Sequence, residues 1–349
     1  MPKVATKLPR KKRDKYQILI GKNIIQDLPK HLDKLALGKK YAIITDSVVK
    51  KLFAVQMARN LREHGIESEI FTFEKGELSK RLSTVEVIAE KMVKKGFDRH
   101  DAVICLGGGV VGDLGGFLAS IYMRGIPYIQ IPTTLLAMVD SAVGGKNGVD
   151  MECGKNLLGT IIQPKAVFID LDYLLKLPEK QIRNGLAEVI KYGVIRDKKL
   201  FKFIEQNLDK IFAHDEKALT YITKKSIQIK TKVVEKDESE HTNLRIILNY
   251  GHTYGHAIEK KSGYKLLHGY AISIGMVIAN QIAVRKKIMK KQDADRIRNL
   301  LKKAGLPVVA VNKPTIKDIA SDKKKIGDCV MMVVPTKIGK VTTYMQKCQ

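Results

Sequence analysis

Three histidines fall within one short stretch of the chain: His252, His256 and His268 in RIILNYGHTYGHAIEKKSGYKLLH, residues 245–268. His252 and His256 are four residues apart in a segment that reads as helix, so both imidazoles leave the same face. Asn249 and Arg245 extend that face by one and two further turns, and His268 follows in a Leu-Leu-His-Gly turn. An isolated pair of this spacing can be nothing more than a polar, solvated helix face. A face that reads Arg, Asn, His, His is too polar for a core and too regular for a loop. The chemistry it suits is a metal or anion site that takes a carboxylate ligand from elsewhere in the chain.

A second group of residues suits phosphate. The run GGGVVGDLGG at residues 107–116 follows an apolar stretch, AVICL, and opens a helix. Glycines at a strand-to-helix turn let the backbone approach a pyrophosphate, whose charge is met by free N–H groups and the helix N-terminus. The spacing is not that of the usual dinucleotide fingerprint, so a tight turn with close helix packing is the competing reading. Asp46, at the end of an earlier apolar stretch, is placed to hold ribose hydroxyls. Residues 131–146, IPTTLLAMVDSAVGGK, and Lys155-Asn156 add lysines after glycines, as a phosphorylated or carboxylated substrate would require.

The elements that must position these groups alternate in the first half. Residues 16–20, 41–45, 69–73, 102–106, 128–131 and 167–170 read as short apolar strands, the earlier ones with amphipathic helices between them. That alternation predicts an α/β domain with a mostly parallel sheet covered on both faces. After Leu177-Pro178 the pattern becomes helical, over residues 179–195, 199–207, 218–236, 251–261, 270–287 and 293–303. A domain boundary is expected there, giving a dinucleotide-binding unit at 1–177 and a helical, metal- and substrate-binding unit at 178–349. Residues 330–334 and 340–345 predict a terminal hairpin across 335–339.

Composition excludes several classes. A chain of 349 residues with 44% hydrophobic content is long enough for two cores. No apolar run approaches the ~20 residues of a membrane span, and the basic start MPKVATKLPRKKRDKY lacks the apolar segment of a signal peptide. A cytoplasmic protein is expected, with no membrane partner. Cys105, Cys153, Cys329 and Cys348 are far apart, which argues against a disulfide framework or thiolate zinc site. The net charge of +27 is spread in lysine-rich runs such as RKKIMKK at 285–291, and aromatics are only 6% of residues, with no tryptophan. Specific nucleic-acid binding is therefore not expected; a lysine-rich surface around a pocket for an anionic metabolite is.

GGGVVGDLGGF, IPTTLLAMVDSAVGGK, GKN, GLAEVIKYG, RIILNYGHTYGHAIE and LHG occur in order and at the spacing of the 3-dehydroquinate synthase family of sugar-phosphate cyclases, which the chain resembles from about residue 46 to 324. The resemblance implies an α/β NAD-binding domain with an all-helical C-terminal domain, bound NAD, one zinc (or cobalt) ion and a homodimer. It implies that Glu188, His252 and His268 are the metal ligands and that His256 contacts substrate instead. The other substrate positions it implies are Asp140, Lys146, Lys191, Lys230, Arg245, Asn249 and Lys323, with Arg124 reaching a phosphate site across the dimer. For NAD it implies Asp46, Glu77, Lys80, Gly108, Gly109, Asp113, Thr133, Thr134, Lys146, Lys155 and Asn156.

The implied reaction takes 3-deoxy-arabino-heptulosonate 7-phosphate through oxidation at C5 by NAD, loss of phosphate, re-reduction, ring opening and intramolecular aldol closure. A ketone at C5 acidifies the C6 proton, and the substrate's own phosphate can accept it. The chain departs from the family pattern at Tyr270 beside His268, at Lys176, in SAVGGKNGVD, and by one extra residue within 237–245. None of these removes an implied ligand. Two alternatives stand beside this reading: a polyol or glycerol phosphate dehydrogenase with the same glycine loop and metal, and a basic nucleic-acid-binding protein.

Overall fold

The structure, a computed structural model, describes residues 15–237, 244–310, 315, 319, 325–326 and 329–347. The first half alternates strands β1 (Gln17–Gly21), β2 (Lys40–Asp46), β3 (Glu67–Phe73), β4 (Ala102–Gly107) and β5 (Tyr128–Pro132) with helices α1 (Leu28–Leu35), α2 (Ser47–Val49), α3 (Val55–Glu63), α4 (Leu82–Lys94) and α5 (Gly109–Ile121). A hairpin of β6 (Lys146–Met151) and β7 (Gly154–Ile161) then precedes β8 (Ala166–Asp170). Six strands form one parallel sheet in the order β1-β8-β5-β4-β2-β3. The interiors of β2, β4, β5 and β8 are buried throughout, which is why these segments read as unbroken apolar runs rather than alternating ones.

The β6–β7 hairpin lies outside the sequence expectation, which had a lysine- and glycine-rich binding segment there. It pairs antiparallel from Lys146↔Ile161 to Met151↔Gly154 and stands apart from the main sheet. Gly148 and Gly159 face each other so closely that a Cβ on either would meet the partner backbone at 2.5 or 2.4 Å. A strand that needs glycine for its pairing carries no β-branched signature.

The second half consists of α6 (Glu179–Arg196), α7 (Lys198–Phe212), α8 (Glu216–Val234), α9 (His252–Lys261), α10 (His268–Arg285) and α11 (Lys291–Lys303). Strands β9 (Lys325–Ile326), β10 (Cys329–Lys337) and β11 (Lys340–Lys347) close the chain as a small antiparallel sheet, so the hairpin expected at the end is present and the half is not purely helical. Residues 184–195 of α6 are buried without a break. A helix enclosed on every side is the centre of its layer, and its apolar residues join those of the sheet in one continuous core.

One expectation about the histidine segment is corrected. Arg245 and Asn249 do not continue the helix face of His252, because residues 244–249 form a 3-10 turn and Gly251, at φ 81°, breaks the chain before α9 begins. Left-handed backbone of this kind favours glycine, and the reversal re-aims everything upstream of it.

Helix α10 lies unusually close to both α6 and α9. A Cβ on Gly275 would sit 2.0 Å from the Gly251 carbonyl oxygen, and one on Gly269 would sit 2.0 Å from that of Asn184. Replacing Gly275 with alanine should therefore force α9 and α10 apart. The expected cost is about 1–3 kcal/mol in denaturant unfolding, together with weaker divalent-metal binding. Unchanged stability and unchanged metal binding would show that this contact does not set the helix spacing.

Candidate active site

Three helices each deliver one side chain to the same point. Glu188 sits in the middle of the buried helix α6, His252 at the first position of α9 and His268 at the first position of α10. Glu188 Oε1 lies 3.4 Å from His252 Nε2 and 3.5 Å from His268 Nε2. Glu188 is fully buried, and neither carboxylate oxygen makes a hydrogen bond, although the Lys191 ammonium lies against Oε2. A buried carboxylate in that state demands positive charge.

The electrostatics of the histidines answer to the same demand. His252, buried and facing Lys191, His256 and His268, is held neutral, its pKa pushed well below the usual imidazole range. His268 goes the other way: burial opposes its charge, yet the carboxylates of Glu188 and Glu259 push its pKa up to about 10. The two carboxylates thus favour positive charge at the centre of the cluster. Two imidazole nitrogens and one carboxylate, with ligand atoms all within 4.8 Å of one another, fit a divalent ion with an open coordination position, as zinc takes in catalytic sites. His256, Glu259 and His268 make a second group of the same size, with His256 exposed.

Around this cluster are buried cations. Lys191 is 2% exposed, Arg245 5% and Lys230 7%. Lys230 donates to Asp140 Oδ1 at 2.6 Å and to its backbone oxygen at 2.7 Å, and the Tyr192 hydroxyl donates to the same Oδ1 at 2.7 Å. Burial opposes the Asp140 charge, but Lys230 and Lys191 hold its carboxyl well below the ordinary range. Asn249 is half-buried in the 3-10 turn next to α9.

The glycine loop lies at the carboxyl edge of the sheet. The chain passes from β2 outward to β3 and returns to β4 on the other side, so the ends of β2 and β4 flank the point where strand order reverses. Ligands of open α/β sheets bind at such a point. Gly108 stands at the N-terminus of α5 with no side chain capping the helix, so its first N–H groups face outward. A Cβ on Gly108 would come within 3.2 Å of Thr134 Cγ2, and one on Gly109 within 3.2 Å of Ser141 Oγ; bare backbone is what keeps this cradle open. Asp46 ends β2 and accepts from the N–H groups of Val48 and Val49, both at 2.9 Å.

Beside α5 the remaining cofactor candidates form one polar network. The Lys80 ammonium donates to Asp113 Oδ2 at 2.6 Å and to Asn156 Oδ1 at 2.5 Å. Burial disfavours the Lys80 charge, but Asp113, Glu77 and Asp150 outweigh it and raise its pKa. Lys155 pairs with Glu77 at 3.1 Å, and Thr133 is buried, its N–H bonded to Gly107. These features fit a dinucleotide, with glycine backbone for the pyrophosphate and acidic side chains for ribose.

Lys146 is exposed at the start of β6, in the hairpin that also carries Lys155 and Asn156. Arg124 lies beyond the far end of α5, whose 13 residues separate it from the glycine loop by about 20 Å. Lys323 lies outside the described residues, as do residues 1–14 of the basic tail, Cys348 and residues 238–243, where the sequence carries its extra residue. Conversely, the sequence reading passed over Tyr192 and Glu259. Glu259 follows His252 and His256 at i+7 and i+3, so the same helical stripe that marked the histidines contained it.

The chain matches known proteins over most of its length. Residues 70–184 match the family model for the N-terminal part of 3-dehydroquinate synthase, and residues 185–325 match that for its C-terminal part. The 3-dehydroquinate synthase of Thermodesulfovibrio yellowstonii is 46% identical over 331 residues, covering 93% of this chain and 92% of that one. Among solved structures, 2-epi-5-epi-valiolone synthase from Streptomyces hygroscopicus, with NAD+ and Zn2+ bound, superposes with a TM-score of 0.88 at 27% identity, covering 97% of this chain and 95% of the other. A 2-deoxy-scyllo-inosose synthase complexed with carbaglucose-6-phosphate, NAD+ and Co2+ gives 0.85 at 30% identity, covering 95% and 92%.

The two overlapping groups around His268 make different predictions for metal. If Glu188, His252 and His268 form the site, metal-free protein should take up about one zinc or cobalt ion per chain. His268→Ala should abolish uptake, whereas His256→Ala should leave metal content near normal. Elemental analysis showing zinc lost from His256→Ala and retained in His252→Ala would move the site to the other group.

Proposed function

The chain belongs to the 3-dehydroquinate synthase family, and from that premise we propose that it converts 3-deoxy-arabino-heptulosonate 7-phosphate into 3-dehydroquinate and inorganic phosphate. The observation that carries the choice of substrate is the set of three buried cations, Lys191, Lys230 and Arg245, beside the metal-ligand cluster. The carboxylates of Glu188 and Asp140 lie against Lys191 and Lys230, and Asp237, which is buried, accepts from the Arg245 backbone N–H. A further divalent cation would leave the cleft strongly positive, and a substrate with both a carboxylate and a phosphate restores the balance.

When bound, NAD supplies reversible hydride acceptance at C5, and a divalent ion held by Glu188, His252 and His268 supplies polarisation of the oxygen there. The chain's own residues bind and orient. Lys191, Lys230 and Arg245, with Asn249, His256 and Lys323, hold the anionic groups of the sugar acid. Asp140, kept ionised, anchors the Lys230 ammonium from one side while Tyr192 fixes the carboxylate from the other. The C6 proton passes to an oxygen of the substrate's own phosphate, so no strong protein base is required. Gly108, Gly109, Thr133 and Thr134 admit the dinucleotide, with Asp46, Glu77, Lys80, Asp113, Lys146, Lys155 and Asn156 around it.

In this reading residues 1–177 supply the cofactor side and residues 178–349 the metal ligands. The position of Arg124, about a helix length from the glycine loop of its own chain, supports a homodimer in which it serves the other subunit. Among the described residues no helix is long and apolar enough to cross a membrane. Cys105, Cys153 and Cys329 are free thiols, which suits the reducing cytoplasm.

Phosphate release separates this reading from net redox. With the heptulosonate phosphate, zinc and catalytic NAD, the protein should release inorganic phosphate and form dehydroquinate in equal amounts, while absorbance of reduced nicotinamide stays flat. NADH accumulating in step with product would make the protein a dehydrogenase. Turnover of glucose 6-phosphate in place of the sugar acid would move it to another cyclase class.

A further inference from the structure

Glu259 is a charged residue with no role in the assignment above, yet it is only 4% exposed. Its two oxygens face different partners. Oε2 accepts from His268 Nδ1 at 3.2 Å, while Oε1 lies 3.7 Å from the Lys155 ammonium. Lys155 comes from β7, in the other half of the chain, and is itself held by Glu77 at 3.1 Å and by the ring of Tyr264, whose centroid is 4.4 Å away. The opposite nitrogen of the same imidazole, His268 Nε2, points at Glu188.

An imidazole can present a lone pair on one nitrogen only if the other carries the proton, and what that second nitrogen bonds to decides which tautomer is present. Building on the metal-ligand reading, we infer that Glu259 is a positioning residue: it accepts the Nδ1 proton of His268 and thereby presents the bare Nε2 to the Glu188–His252 cluster. Lys155 positions Glu259 in turn, by holding Oε1 so that Oε2 stays on His268. A lysine on the cofactor side of the cleft therefore contributes to metal affinity. The competing role, Glu259 as a ligand in a group with His256 and His268, requires His268 Nδ1 to be a lone pair rather than a donor. An ionised carboxylate oxygen can only accept, so the 3.2 Å contact is a hydrogen bond when Nδ1 carries the proton, which leaves Nδ1 no lone pair for a metal.

The test uses the full chain and cobalt as the probe, reading affinity by chelator competition and ligand geometry by visible absorption of the bound ion. Glu259→Ala should weaken cobalt binding by about 10–100-fold and shift the spectrum. Glu259→Gln, which keeps an acceptor of the same shape, should restore both close to the unaltered chain. Lys155→Met should weaken cobalt binding by a smaller factor than Glu259→Ala. Loss of metal from the Gln variant equal to that from the Ala variant would overturn the positioning role, and unchanged affinity in Lys155→Met would overturn the link to β7. Absence of cobalt binding by the unaltered chain would instead refute the metal-ligand reading on which the inference rests.

Discussion

A carboxylate sealed in a helix core without a hydrogen bond is among the more costly things a protein can keep, and Glu188 is one. The cost of burying it is offset only where positive charge or hydrogen-bond donors are delivered to it, and the surrounding architecture does that. Lys191 reaches it from the next turn of the same helix, and two imidazoles reach it from the first residues of α9 and α10. Those helices can start so near α6 and each other because Gly269 and Gly275 leave no side chain in the way. Packing and charge are thus one problem here. The glycines that admit close helix contact also bring the nitrogens within reach of the carboxylate.

The two halves of the chain meet over this point. The parallel sheet contributes the glycine loop at its strand-order reversal, and the hairpin β6–β7 contributes Lys155 and Asn156, which connect to Glu77 and Lys80. Asp140, at the edge of the sheet domain, is bonded to Lys230 and Tyr192 from the helical half. The Lys155–Glu259 contact adds a direct tie between the halves. Ion pairs of this kind hold the glycine-loop side and the histidine side against one another.

The large basic excess divides into two populations with different physics. Many lysines lie on solvated helix faces, where an isolated charge costs little and contributes little. A few, Lys80, Lys191 and Lys230, are buried, and each is held against a carboxylate. Only the second population bears on function, because a buried ammonium is fixed in place by its carboxylate and sits where a bound anion can reach it.

The sequence by itself determined the sheet and the chemistry of the site. Strands β2, β4, β5 and β8 were legible because burial on both faces demands continuous apolar runs, and the glycine loop and the histidine segment were legible because few other residues permit their chemistry. Spacing alone pointed to His252 and His256 as a metal pair, and the motif resemblance implied Glu188, His252 and His268 instead. Tertiary structure decided the rest. It broke the helix at Gly251, so that Arg245 and Asn249 approach from a separate turn. It built a hairpin from glycines and lysines, which carry no strand signal alone, and it set Glu259 behind His268. Periodicity records which face a residue occupies on its own element; which face of another element it meets depends on how closely the helices approach, and that distance is set by contacts far apart in the chain.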